Sequence, residues 1–299
     1  MSVYSIKDME MLSNVKAHTI RIWEQRYHLF TPERTDTNIR YYSDDQLKKL
    51  LNVCTLIEHG VKISHIAKLT NEQIAERIDS IINNLKTDNE GIEALINQAL
   101  SAITVYDEAA FEQVFSRCRE KMSITDCYVK LIYPLLIRTG LMWSKDDVIP
   151  AQEHFLSNLI RMKLFAAIDS VSIPENADQT WVLFLHEHEK HEIGLLFASY
   201  ILRVYGKKVI YLGQEVPFNN LSNVITECHP THVCTFFVRN YPQADINALI
   251  KTLVDTSTHL VVCVSGKEEI IANIPATKRI VTLDSLQSLI QIINDRQPC

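Results

Sequence analysis

Hydrophobic and polar positions follow three regimes along the chain. From Ser5 to Leu69, short apolar groups are spaced for one face of short helices and interrupted by polar turns. From Ile92 to Val171, apolar positions recur at helical spacing in four longer segments: Ile92–Tyr106, Asp107–Lys121, Ile124–Trp143 and Pro150–Val171. With no strand pattern among them, these segments predict an antiparallel four-helix bundle. From Thr180 on, short continuous apolar runs alternate with helical patterns. Strands are predicted at Trp181–Leu185, Lys208–Leu212, His232–Phe237, Leu260–Val264 and Arg279–Leu283, and helices near 193–205, 218–227, 242–256, 267–273 and 284–294. Alternating units of this length predict a doubly wound parallel sheet. The expected class is therefore α + α/β, with modules at 1–75, 76–175 and 178–299.

The first module opens with Ser5, which can cap a helix, and Asp8 three residues on, as in a capping box. Leu12 to Val15 reads as a tight turn. A second helix, Ala17–Arg26, is expected to turn Ile20, Ile22 and Trp23 inward and Lys16, His18, Thr19 and Arg21 outward. This is helix-turn-helix geometry, with the second helix suited to the major groove of DNA. The stretch from Tyr27 to Tyr42 reads as irregular and holds Arg34, Asn38, Arg40, Tyr41 and Tyr42, residue types that suit phosphate and sugar contacts. Asp44–Glu58 is a third helix, His59-Gly60 ends it, and Lys62–Leu69 is a fourth. Residues 71–90 read as polar and helical, with Lys86 to Gly91 as a hinge.

Charge sharpens the division. Residues 1–70 hold 10 Lys+Arg against 8 Asp+Glu, and the remainder holds 20 against 28, within a net charge of −6. A locally positive head on an acidic body suggests a polyanion-binding module joined to something else. A hydrophobic content of 46% supports real cores and argues against disorder. No apolar run is long enough to span a membrane and no signal peptide opens the chain. The seven cysteines (54, 118, 127, 228, 234, 263, 299) form no C-x-x-C pair, which points to reduced thiols in a cytoplasmic protein.

Chemistry concentrates at one turn. Between the strand Trp181–Leu185 and the helix that follows lies Glu189-x-His191-x-x-Gly194. Such a turn sits at the carboxyl end of a parallel sheet, where open α/β sheets bind ligands. A His held by a carboxylate has its tautomer and basicity set for metal ligation, and Gly194 lets the helix backbone approach a bulky neighbour. The same stretch spells His186-x-His188-x-x-His191, a zinc-type spacing without a convincing fourth ligand nearby. Glu153 and His154 fall in the first turn of a helix, where Glu is favoured by the dipole alone.

Two resemblances cover much of the chain. Tyr4-Ser5-Ile6, Thr19-Ile20-Arg21-Ile22-Trp23-Glu24-Gln25-Arg26-Tyr27, Pro32-x-Arg34 and Asn38-Ile39-Arg40-Tyr41-Tyr42 resemble the MerR-type winged helix-turn-helix over about 70 residues. The likeness implies that Lys16, His18, Thr19, Arg21 and Arg26 serve the reading helix. It assigns Arg34, Asn38, Arg40, Tyr41 and Tyr42 to a wing on the DNA backbone. Trp143 followed after nine residues by Glu153-His154 resembles the cap over the upper face of cobalamin in CarH/LitR-type photoreceptor repressors, a MerR subgroup. Cobalamin-binding domains of that class carry Asp-x-His-x-x-Gly, then Ser-x-Leu, then Gly-Gly. Here Glu189-x-His191-x-x-Gly194 is followed by 40 residues, Thr235-Phe236-Phe237, 27 residues, then Ser265-Gly266.

The second likeness implies a flavodoxin-like strand order 2-1-3-4-5, with His191 as lower axial ligand of cobalt and Glu189 as its partner. Phe237 in place of Leu and Ser265 in place of Gly narrow the pocket for the benzimidazole tail, and overpacking costs about 1–3 kcal/mol. Ser144 follows Trp143 where the photoreceptor type has His, which argues against light sensing by that route. The implied function is a cytoplasmic repressor, dimeric or tetrameric, on double-stranded operator DNA. It would sense a cobalamin, such as adenosylcobalamin, in the cleft between Trp143-Glu153-His154 and His191. One alternative keeps the DNA-binding head but makes the last module ligand-free, serving oligomerisation or an antirepressor protein. Another, a corrinoid enzyme or carrier, is opposed by the head and by the lack of any catalytic domain in the reading. No membrane partner is expected.

Overall fold

The computed structural model describes residues 3–13, 15–35, 38–58, 60–83, 89–143, 150–238 and 241–295. It divides into two compact units, residues 1–159 and 160–299.

The first unit begins with β1 (Val3–Ser5), α1 (Ile6–Ser13), α2 (Ala17–Tyr27), β2 (Glu33–Arg34), β3 (Arg40–Ser43), α3 (Asp44–Glu58), α4 (Ile63–Ile66) and α5 (Asn71–Asn83). The capping box forms: Asp8 N–H donates to Ser5 Oγ and Ser5 N–H to the Asp8 carboxylate. Strands β1, β3 and β2 make a small antiparallel sheet in that order, with Tyr4 opposite Tyr42. The stretch expected to be irregular thus contains a wing of two short strands, too brief to show a period in sequence. A second correction concerns Ile22, which is 49% exposed while Ile20 and Trp23 are buried. Ile20 and Trp23 lie three apart and share a face, whereas Ile22 is rotated about 200° from Ile20.

The bundle follows as α6 (Asn89–Thr104), α7 (Glu108–Lys121), α8 (Ile124–Cys127), a π-helical turn (Tyr128–Ile132), α9 (Tyr133–Trp143) and α10 (Pro150–Asp169). Asn89 to Gly91, expected in a hinge, are the first residues of α6; Lys86 to Asp88 lie outside the described residues, as does His59. The expected helix Ile124–Trp143 is interrupted by the π turn, where Tyr133 N–H bonds to Tyr128 O. Pro134, one residue later, offers no N–H to continue the regular ladder.

Head and bundle share one core. Asn97 Nδ2 on α6 donates to Thr55 Oγ1 on α3 at 3.1 Å, both buried. Gln152 Nε2 on α10 donates to Tyr4 Oη at 3.2 Å and to Thr104 O at 2.9 Å, again in the interior.

The second unit takes the last half of α10 and then β4 (Thr180–His186), α11 (Ile193–Val204), β5 (Lys208–Val216), α12 (Phe218–Cys228), β6 (His232–Phe237), α13 (Gln243–Thr256), β7 (Val261–Gly266), α14 (Glu268–Ile271), β8 (Ile280–Leu283) and α15 (Leu286–Asn294). The described strands form one parallel sheet in the order β5-β4-β6-β7-β8, the expected 2-1-3-4-5. Strand side chains alternate between faces. Val182, Phe184, Val233, Phe237 and Val262 join the core beneath α12 and α13. The opposite face, with Trp181, Leu183 and Phe236, meets α11, so helices cover both faces.

Candidate functional site

The β4–α11 turn stands on the carboxyl edge of the sheet beside the end of β6. It closes with Glu189 N–H on His186 O at 2.9 Å, and His188 takes a left-handed φ of 67°. Glu189 is fully buried yet well supplied with donors. Its Oε1 accepts Lys190 N–H at 3.0 Å, His191 N–H at 3.2 Å and His191 Nδ1 at 2.6 Å, and its Oε2 accepts Val238 N–H at 3.0 Å. A carboxylate accepts only, so His191 Nδ1 carries a proton, and in the neutral tautomer the lone pair is on Nε2. The ring is half exposed, at 49% of its side chain. The turn therefore offers Nε2 of an imidazole whose other nitrogen is held by a buried carboxylate, the arrangement that orients a His for metal ligation.

Around the turn, Gly194 is needed for a close approach. A Cβ there would lie 2.9 Å from Cε1 of the Phe236 ring. Gly266 has φ of 147°, and a Cβ there would fall 2.2 Å from Phe237 O, so no other residue fits without moving the strand end. Thr235 is buried with its hydroxyl unpaired among the described residues. Phe237 and Ser265, read as lining one tail pocket, stand on opposite faces of the sheet. The Phe237 ring is in the core, with ring centroids 5.7 Å from Tyr241 and 6.4 Å from His186. Ser265 pairs in register with Phe236 and its Oγ donates to Leu283 O at 2.8 Å. The cobalt-ligand position thus fits a corrinoid, while the landmark side chains beyond it are committed to the fold.

In the head, His18, Arg21 and Arg26 are exposed and Thr19 is half-buried. Lys16, 74% exposed, pairs with Glu10 at 3.1 Å. Arg34 Nη1 donates to Asn38 Oδ1 at 2.7 Å, and Tyr41 Oη to Glu33 Oε2 at 2.6 Å, both at the surface of the wing. Tyr42, expected to touch DNA, is instead core, with no exposed surface. Its hydroxyl donates to Glu24 Oε2 at 3.3 Å, and burial first, then the Glu24 charge, raise its pKa to about 12. Arg40 Nε donates to both Glu24 oxygens at 3.1 and 3.2 Å, which fixes it between wing and α2. Strand alternation explains the correction: Tyr41 and Tyr42 are neighbours, so only one can face out.

Residues 4–73 match the MerR HTH family of regulatory proteins, and residues 95–167 match the B12 binding domain family. The HTH-type transcriptional repressor CarH of Myxococcus xanthus is 29% identical over 233 residues, 77% of this chain and 77% of that protein. The HTH-type transcriptional repressor CarA of the same organism is 25% identical over 264 residues, covering 87% and 85%. The chain thus joins a MerR HTH family head to a B12-binding-type segment and is similar to MerR-type regulators with a cobalamin-binding-like module. Among solved structures, the Methanosarcina barkeri monomethylamine corrinoid protein shares the fold, with a TM-score of 0.53 at 12% identity over 67% of this chain and 93% of that one.

Helix α10 carries Glu153 and His154 in its first turns. Glu153 Oε1 accepts Ser157 Oγ at 2.7 Å, and His154 Nδ1 lies 3.2 Å from Glu153 Oε2 with its ring 73% exposed. The Trp143 side chain and Ser144 lie outside the described residues. The zinc-type spacing does not assemble: His186 Nδ1 bonds to Glu187 O at 2.9 Å, and no group of three His, Cys, Asp or Glu among the described residues is placed to hold a metal ion. Among the described residues no helix is long and apolar enough to cross a membrane.

Sequence reasoning missed Glu192. Buried at the start of α11, it accepts Tyr211 Oη at 2.9 Å and pairs with Arg161 at 2.6 Å. Burial, and then the Glu192 charge, raise the Tyr211 pKa. An Arg, a Glu and a Tyr on three separate elements leave no local spacing to read.

Proposed function

We propose that this DNA-binding regulator is a repressor whose α/β module takes a cobalamin through Nε2 of His191, and that ligand state governs operator binding. The observation that carries the reading is the buried Glu189, which holds His191 Nδ1 and leaves the other nitrogen on the exposed edge. A bound cobalamin would supply a cobalt ion that an imidazole can ligate. His191 Nε2 would ligate that cobalt, Glu189 would set the tautomer and orientation of the ring, and Glu153 and His154 remain candidates for the upper-ligand cap. In the head, Arg21 is the candidate for base-edge contact, while Lys16, Arg26 and Arg34 would hold phosphates, giving steep salt dependence. The expected setting is the cytoplasm, with a homodimer or homotetramer on DNA.

The test is absorbance titration with hydroxocobalamin and adenosylcobalamin, followed by operator shift assays at two salt concentrations. Wild type should show the spectrum of His-ligated cobalt, His191→Ala should lose it, and His188→Ala should keep it. A folded wild type that leaves both spectra unchanged would overturn the reading. A second reading, a ligand-free module that docks an antirepressor or another copy, is favoured by Phe237 and Ser265, whose side chains are committed to the fold. That same null titration, with DNA binding intact, would select it.

A further inference from the structure

We propose that Cys118 and Cys127 form a dithiol–disulfide couple that staples α7 to α8 under oxidising conditions. Cys118 occupies the buried face of α7 with Phe111 and Val114, and Cys127 ends α8 just before the π turn. Each alone is an ordinary small core residue. Together they are not ordinary, because the Cys118 thiol donates to Cys127 Sγ with the sulfurs 2.7 Å apart. A covalent S–S bond is about 2.05 Å, so bonding needs a shift of well under 1 Å. Packing alone does not call for two sulfurs to be in mutual contact.

The surroundings favour reaction. The S–H of Cys118 bonding to it is the main cause that lowers the Cys127 pKa, and the Arg119 charge adds to it; Cys118 is raised in turn. Cations and donors beside a thiol favour the thiolate, which is the reactive species. The turn between the helices, Met122-Ser123, is short, and Arg119 Nη1 donates to Met122 O at 3.1 Å across it. The chain holds a contrasting pair. Cys234 and Cys263 are register partners on β6 and β7, fully buried. Burial pushes Cys234 up to about 12 and Cys263 well above its ordinary value. That pair is set to remain as thiols.

The oxidant is a peroxide or a small disulfide. With hydrogen peroxide, the Cys127 thiolate attacks one oxygen, the O–O bond breaks, and hydroxide leaves as water after taking a proton. Cys127 is then a sulfenic acid. The deprotonated Cys118 sulfur attacks it, the S–O bond breaks, and a second water leaves. Two thiols thus give up two electrons and two protons, and the peroxide becomes two waters. A thiol reductant reverses the bond by exchange.

The experiment uses the full chain, treated briefly with hydrogen peroxide or equilibrated in mixtures of reduced and oxidised glutathione, then alkylated, digested and weighed. A peptide linking Cys118 to Cys127, cleared by dithiothreitol, is expected, while Cys234 and Cys263 are alkylated singly. The oxidised chain should melt higher, by roughly 5 °C. Cys118→Ser and Cys127→Ser should lose both the link and the shift. If either variant misfolds, the alkylation pattern of wild type decides alone. Single alkylation of both cysteines under peroxide that oxidises the exposed Cys228 would overturn the proposal. So would linkage of Cys234 to Cys263 in preference, or conversion to sulfinic acid that dithiothreitol does not reverse.

Discussion

Two glutamates organise the two ends of the chain, and they do opposite things with the same chemistry. In the head, Glu24 receives Arg40 and Tyr42 and draws both into the fold, leaving Arg40 23% exposed. In the α/β module, Glu189 is more deeply buried, yet its partner His191 stays half exposed. The difference lies in what else the carboxylate holds. Glu24 is met by side chains, so its partners must come to it. Glu189 is met by the N–H groups of Lys190, His191 and Val238, which anchor it to two strand ends. With the anion fixed by backbone, one nitrogen of His191 is held and the other is offered.

The largest effect expected from this contrast is at Glu189. Glu189→Ala strips the buried acceptor from three backbone donors, and the loss should be about 4 kcal/mol in the urea unfolding of the α/β module. A loss below about 1 kcal/mol would mean that the anion is not what holds the turn. Acid should separate the two ends next. Burial first, and then the Lys207 charge, lower His232 to about 4, and its ring stacks on Trp181 with centroids 4.2 Å apart. The folded state keeps this ring neutral, while the unfolded chain protonates it below about 6.5. Stability is therefore complete above about pH 6.5 and falls by up to about 3 kcal/mol as the pH drops to about 4. Unfolding curves of wild type and His232→Gln across that window should converge in acid, and parallel curves would sink the assignment.

Glu24→Ala comes third. It should cost the first unit about 2 kcal/mol through Tyr42 and Arg40, and weaken operator binding because Arg40 loses its place. Unchanged melting of that unit would show that the pair is ornamental. The smallest effect is the most informative. His191→Ala should change stability by less than about 0.5 kcal/mol, since its ring is a surface group. If it destabilises as much as Glu189→Ala, the imidazole is structural and the idea of an offered nitrogen fails.

What could be read beforehand follows the reach of each signal. Strand positions and the Glu189–His191 pair were legible because apolar runs and a two-residue spacing are local, whereas the strand order followed from the likeness to cobalamin-binding domains. The exposure of Ile22 was legible in principle, since helical rotation alone decides it. The burial of Tyr42 was not, because adjacent tyrosines on a four-residue strand do not say which one faces in. Glu192 with Tyr211 and Arg161, and the Val238 N–H on Glu189, depend on chain crossings that no spacing encodes. The opposite faces of Phe237 and Ser265 were hidden for a related reason: register between β6 and β7 sets their parity.

The bond from Gln152 to Tyr4 joins the residue just before Glu153 to the strand that pairs with the wing. A coupling of this kind has no preferred direction. If a ligand that displaces Gln152 loosens β1 and so weakens DNA affinity by some factor, then DNA held by the wing must weaken that ligand by the same factor. Operator occupancy would then be written into the bundle's own affinity, and promoter number in the cell would set how much effector is needed to clear each site.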